Sequence, residues 1–275
     1  MLFNREYAIT VALPGTPVAV KISGLKCVFA VKKTLKSTPN TVTLKIHNLS
    51  ETTRKAIQAM PTTTVQIDAG YTDQVSTIFL GDVRTHSTIR ENDTELITEM
   101  AAGDGEKAIQ HARINVSLRK GSSISQVLTA LVSALGVDPG NTAQAVAALA
   151  PFGSMFTMGT VLSGSASREL TRILSSVGYS WSIQNGKLQV LSIKQALLGT
   201  ALLLTPFTGL LDSPTIDKDG YLNCKTLMIP DVFPGRLCVL TSENLQGQFR
   251  IEETEHNGDT HSDGDWDISI KAKPF

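Results

Sequence analysis

The densest cluster of groups able to do chemistry lies near the C-terminus, in HNGDTHSDGDW, where His256, Asp259, His261, Asp263 and Asp265 follow one another at short spacing. Imidazoles and carboxylates so arranged can hold a divalent ion or share the acid and base work of a hydrolysis. Asn, Gly, Asp and Ser are also the residues that build tight turns, and the favoured expectation is a polar hairpin tip. A second acidic run, DKDG from Asp217 to Gly220, has the look of half an EF-hand loop. No glutamate follows at the position that would close a calcium shell, so a β-turn is expected. Glu252, Glu253 and Glu255 share one strand-like run, with Glu253 and Glu255 on one face. Carboxylates that cleave a glycoside must face each other across a cleft; two on one strand face fit a solvated or interface surface better.

The remaining candidates are scattered. His47, His86 and His111 are isolated and read as surface or satisfied residues. Cys27, Cys224 and Cys238 lie far apart with no CxxC pair, in strand-like stretches where cysteine behaves as a small core hydrophobe. An odd count also argues against an extracellular disulfide framework. No nucleophile elbow, zinc-protease helix, phosphate loop or dinucleotide fingerprint occurs. The expectation is therefore no enzyme and no cofactor, with no catalytic, cofactor-binding or metal-ligating residue assigned. The alternative is a cell-wall hydrolase built on the loop from His256 to Asp267. A secreted carbohydrate-binding β protein is disfavoured by an aromatic content of only 5%.

The whole chain sets the frame for these groups. Its 275 residues are 41% hydrophobic and only 18% charged, with 25 basic residues against 25 acidic ones. A general nucleic-acid binder would carry a basic excess, and a surface-bound membrane protein a cationic face. Near-zero net charge weakens self-repulsion and favours association with other protein. The opening MLFNREYAIT has no charged-then-apolar signal region. The longest apolar run, Ala196 to Leu204, is about half the ~20 residues of a membrane helix. A chain made in a reducing cytoplasm is expected.

Period-two alternation fills the first hundred residues: Tyr7, Ile9, Val11; Val18, Val20, Ile22; Cys27, Phe29, Val31; Val42, Leu44, Ile46. A short helix capped by Ser50 and stopped by Pro61 interrupts it. Strands resume at Thr64 to Tyr71, Thr77 to Val83 and Thr94 to Ala102, and Gly70 and Gly81 mark bulges or close backbone approaches. ARINVSLR follows as an orphan strand after the GDGE turn. Then Ser123 and Gln126 form a capping box, and apolar residues keep helical spacing to Gly136. Residues 137–164 are poorly periodic, with a short helix near Ala143 to Leu149. A helix over Ala166 to Val177 leads into a hairpin turned by Asn185-Gly186. Five strands close the chain after Leu202. The expected fold is mainly β (α+β), two β-barrels with an inserted small helix-plus-hairpin domain. The domains are 1–107 as the first barrel, 108–120 plus 199–275 as a second, discontinuous barrel, and 121–198 as the insertion.

The order of these segments resembles the central baseplate hub family of contractile phage tails. TVTLKIHNLSETTRKAI resembles its N-terminal barrel, and IFLGDV with TELITEMAAGDGEKA its following strands and acidic turn. KGSSISQVLTALVSALGV and ASRELTRILSSVGYSWSIQNGKLQVL are similar to its middle domain. The segment from TGLLDSPTIDKDGYLNC to WDISIKAKPF is similar to its C-terminal barrel. The resemblance implies a structural role with two tail-tube-like barrels: a homotrimeric ring joining the tail tube or tube-initiator proteins to a central spike, among other baseplate proteins. DNA would pass the lumen only as transient cargo, with no membrane insertion. The location implied is the virion's tail baseplate, assembled in the host cytoplasm. No lysozyme-like or peptidase-like extension follows Phe275, so no enzymatic tail tip is implied. The same architecture serves phage-derived injection machines.

Overall fold

Alternation of apolar and polar side chains makes strands of most of the first hundred residues, and most of these strands turn one face inward. The structure, a computed structural model, describes residues 4–13, 15–60, 63–149, 159–261 and 264–275. The first segment holds β1 (Arg5–Ala12), β2 (Ala19–Ile22), β3 (Cys27–Thr34), β4 (Thr41–His47), α1 (Glu51–Gln58), β5 (Thr64–Tyr71), β6 (Gln74–Arg90) and β7 (Leu96–Gly103). The middle segment holds α2 (Glu106–His111), β8 (Arg113–Leu118), α3 (Ile124–Leu135), α4 (Thr142–Leu149), β9 (Thr160–Ser165), α5 (Ala166–Ser175), β10 (Tyr179–Gln184) and β11 (Lys187–Ser192). The last holds β12 (Leu202–Leu204), β13 (Thr215–Ile216), β14 (Leu222–Leu227), β15 (Leu237–Thr241), β16 (Gln246–Asp259) and β17 (Trp266–Pro274). The fold is mainly β with a small helix-plus-hairpin unit inserted.

Two compact units emerge. One comprises Met1–Thr34, Asn40–Asp104 and Ala196–Phe275; the other Leu35–Pro39 and Gly105–Gln195. Among the described residues of the first unit, thirteen strands form one sheet in the order β13-β14-β17-β16-β3-β4-β7-β6-β5-β1-β2, with β15 beside β16 and β12 parallel to β15. The N- and C-terminal segments therefore join through β3 and β16, in register from Glu253 opposite Thr34 to Asp259 opposite Val28. Phe29, Val31, Val42, Leu44, Ile46, Ile251, Ile268 and Ile270 are buried in one apolar cluster. Gly258 sits where a side chain would strike the Phe29 ring, at 2.0 Å from a built Cβ. That ring meets Trp266 edge-on at 5.7 Å. Gly70 and Gly81 are close approaches as expected, facing the Gln74 and Gly103 carbonyls.

The second unit has its own core, built on α3 and α5. Ser123 and Gln126 close the capping box, and Gly136 ends α3 in the left-handed conformation. Val127, Leu128, Leu131, Leu170, Ile173 and Leu174 are buried together with Trp181 and Ile183 of the hairpin. Trp181 Nε1 donates to Thr171 Oγ1 at 2.9 Å, satisfying the one polar atom of a buried indole. Asn185 and Gly186 both take positive φ, as a two-residue hairpin turn requires. The short helix expected near Ala143 to Leu149 is α4.

One expected pairing is corrected. ARINVSLR does not join a strand of residues 200–275; β8 pairs antiparallel with β9, from Arg113 opposite Ser165 to Leu118 opposite Thr160. Its inward residue Ile114 packs in the second unit's core rather than completing a barrel. The helix α2 was also not anticipated. Its entry residue Gly105 holds φ +65°, and a Cβ there would lie 2.4 Å from Ile183 Cδ1. The Pro61 stop and Asp263 fall outside the described residues.

Candidate functional site

The acidic loop after His256 is the β16–β17 connection. Gly258 pairs with Trp266, and the chain turns beyond them. Asp259 accepts the His261 amide on its own carboxylate at 2.9 Å, and its backbone N–H donates to the Asp265 carbonyl at 2.7 Å. Thr260 is stitched to the strand beside it, its Oγ1 accepting the Cys27 amide at 2.8 Å. Arg5 reaches over with hydrogen bonds to the Asp259 and His261 carbonyls at 2.9 and 2.7 Å. The side chain of Asp259 is thus used in forming the turn.

His256 and His261 are not brought together. His261 is exposed, whereas His256 points into the sheet interior and is 3% exposed. Burial, reinforced by the nearby positive charge of Lys33, pushes the His256 pKa down to about 3. Lys33 is itself buried, and desolvation lowers its ammonium to about 8 even though the fully buried Asp104 favours the charge. A neutral imidazole buried beside Lys33 is a packing group.

The other sequence candidates are placed as follows. Asp217 Oδ1 accepts from the Asp219 and Tyr221 amides at 3.0 and 2.9 Å, and Lys271 Nζ lies 3.2 Å from Oδ2. These partners, the Tyr221 amide foremost, hold its carboxyl below the usual range. Glu252 is the bulge residue of β16, clasped by Arg250 at 2.6 Å; Glu253 pairs with Lys32 at 2.8 Å across to β3. His86 and His111 are exposed, on β6 and at the end of α2. Cys27, Cys224 and Cys238 are buried free thiols that desolvation raises to about 11, 12 and 12, so thiolate chemistry is suppressed.

The feature that sequence reasoning missed is apolar. Phe207 is 99% exposed, and Leu203 and Leu211 are about half exposed. They line one groove with Leu202, Leu210 and Ile229. Thr208 braces the loop that carries Phe207, its Oγ1 donating to the Leu203 carbonyl at 2.7 Å while accepting from the Thr205 amide at 2.8 Å. These side chains leave apolar surface open to solvent. The signal is TPFTGLL, where a turn opened by Pro206 carries large apolar residues with no periodicity to bury them.

No helix among the described residues is long and apolar enough to cross a membrane. No protein-family model matches the sequence, and no curated protein matches it. Solved structures do. The 43 kDa tail protein of prophage MuSo2 from Shewanella oneidensis superposes with a TM-score of 0.65 at 11% identity, over 98% of each chain. A tail protein from Neisseria meningitidis gives 0.61 at 10% identity, over 97% of this chain and 96% of that one. An E. coli component of the type VI secretion system, described as structurally similar to bacteriophage tail proteins gp27 and gp5, gives 0.58 at 10% identity. That match spans 96% of this chain and 76% of the other. At such identities the likeness is one of fold, and the fold is that of phage tail proteins.

Proposed function

We propose that the chain is the structural subunit of a phage-tail baseplate hub. Three copies close into a ring that adapts a six-fold tail tube to a three-fold central spike and lines part of the ejection channel. The observation that carries this reading is the fold shared over 98% of both chains with a phage tail protein. The strand-rich segments 1–107 and 199–275 act as two tube-like halves, so that three chains offer six similar units to the tube.

The Phe207 groove fits the contact with a neighbouring copy, because a ring subunit must present apolar surface that a free monomer would bury. A net charge of zero permits close approach of identical chains. It also suits a lumen that releases DNA, since phosphate is held by clustered Lys and Arg. The remaining partners are the tube or its initiator, the spike and neighbouring baseplate proteins. The reading requires no catalysis and no cofactor. The place of action is the virion's tail, or the tail-like part of a phage-derived injection machine.

Native mass spectrometry of the chain mixed with its tube and spike proteins tests this reading. The expected species contains three 29.5 kDa chains, about 90 kDa in all. A chain that stays monomeric in that mixture counts against it.

A further inference from the structure

His47 reads from the sequence as an isolated histidine, yet the fold gives it two carboxylate neighbours. It ends β4 opposite Ile97 of β7, and its backbone is pinned by an N–H bond to the Lys26 carbonyl at 2.9 Å. Asn48 then turns the chain at φ +55°, its amide donating to the Leu96 carbonyl and its Oδ1 accepting the Leu96 amide. On the far side of β7, β6 ends at Arg90, and the Glu91 amide donates to the Glu95 carbonyl at 3.0 Å. Glu91 and Glu95 are thus held opposite each other across the β6–β7 hairpin. Glu95 lies two residues before Ile97, on the strand face that His47 shares.

The hairpin tip is ordered so as to present one carboxylate oxygen. Asn92 Oδ1 accepts the Thr94 and Glu95 amides at 2.9 and 2.8 Å, while its Nδ2 donates to Glu95 Oε2 at 3.0 Å. Glu95 Oε1 is left directed at His47, 3.4 Å from Nδ1. That nitrogen is buried, with the side chain only 9% exposed, and it makes no hydrogen bond. Buried polar atoms are nearly always satisfied, and among those left without a hydrogen bond here His47 Nδ1 is the one that faces two carboxylates. One ligand atom each from His47, Glu91 and Glu95 lies within 4.8 Å of the others.

We propose that His47, Glu91 and Glu95 form a divalent-metal site for a first-row ion of the zinc class. One imidazole nitrogen and two carboxylate oxygens form a donor set that such ions accept. Two carboxylates also neutralise the charge of the ion. Glu91 is exposed, which leaves coordination positions for water. Asn92 acts as the outer partner that orients Glu95, as carboxylate ligands to metals are commonly hydrogen-bonded. The ion staples the ends of β4, β6 and β7. The site rests on this geometry alone and is independent of the proposed hub role.

The test uses the full chain, freed of metal by chelation and dialysis. Zn2+ is titrated by calorimetry, and Co2+ by visible absorption. The expected result is one equivalent per chain with a Co2+ d–d band. Glu91→Gln and Glu95→Gln should each weaken Zn2+ binding by at least about 10-fold, the low end of what losing even an outer partner costs, and His47→Gln should abolish the band. Both glutamates are solvent-accessible, so their variants remain decisive even where the His47 variant folds poorly. His86→Gln and His261→Gln should bind as the parent does. Absence of saturable one-to-one binding, or binding unchanged in both glutamate variants, overturns the proposal.

Discussion

The indole Nε1 of Trp266 donates to the carbonyl oxygen of Gly70 at 3.2 Å, a buried hydrogen bond between residues 196 apart in the chain. Trp266 also carries the Arg5 guanidinium 5.6 Å from its ring centroid. The C-terminal strands are therefore anchored in the N-terminal segment by backbone pairing, aromatic packing and a polar contact together.

A fragment of residues 199–275 should consequently fail to fold alone. Without β3, the inner edge of β16 exposes unpaired backbone groups, a template for aggregation. Circular dichroism and sedimentation of the fragment check this. A soluble fragment with a cooperative melt contradicts it.

Gly258→Ala should destabilise the first unit by about 1–3 kcal/mol, because the added methyl overlaps the Phe29 ring and overpacking forces backbone shifts. Chemical denaturation reads the change. An unchanged midpoint would mean that Phe29 has room to move.

The inserted unit should collapse in Leu131→Asp or Ile173→Asp. Both side chains are buried, at 0% and 2% exposure, and an unpaired buried charge costs roughly 3–5 kcal/mol. Near-UV circular dichroism reports the loss through Trp181. A wild-type signal and melt in both variants contradicts the placement of these helices.

Acid should weaken the first unit through His256. Its folded pKa, about 3, lies below the ordinary histidine value near 6.5, so the unfolded chain binds the extra proton first. The contribution of the neutral His256 is full above pH ~6.5 and is lost as pH falls toward 3, by on the order of a few kcal/mol. Denaturation midpoints between pH 7 and 5, before most carboxylates titrate, should fall in the parent and stay nearly flat in His256→Gln. Parallel curves contradict the assignment.

The contrast between what the chain spelled out and what it hid has physical causes. Cys27, Phe29 and Val31 recur at every second position, and α3 carries caps at both ends, so these elements are legible directly. The strand TVLSGS is not, because only Leu162 of its six residues is buried. The pairing of Arg113–Leu118 with β9 is not legible in the sequence, because periodicity gives a strand's face and never its neighbour. His256 is buried because the bulge at Glu252 resets the alternation of β16, and a bulge leaves no mark in residue type. His47 and Glu91 stand 44 positions apart, and only the hairpin's register unites them.

The apolar groove should matter for assembly and little for folding. Phe207→Ser, at a fully exposed position, should shift stability by less than about 0.5 kcal/mol. It should weaken subunit association by about 10-fold or more if Phe207 anchors the contact. Analytical ultracentrifugation with a parallel thermal melt separates the two effects. Unchanged association places the contact elsewhere.

Imaging of the assembled tail tests the proposed symmetry adaptor most directly. Cryo-electron microscopy of intact particles should show three copies of this chain in one ring, each offering two tube-like halves to the six-fold tube above. A ring holding six copies, or a single copy, contradicts the account.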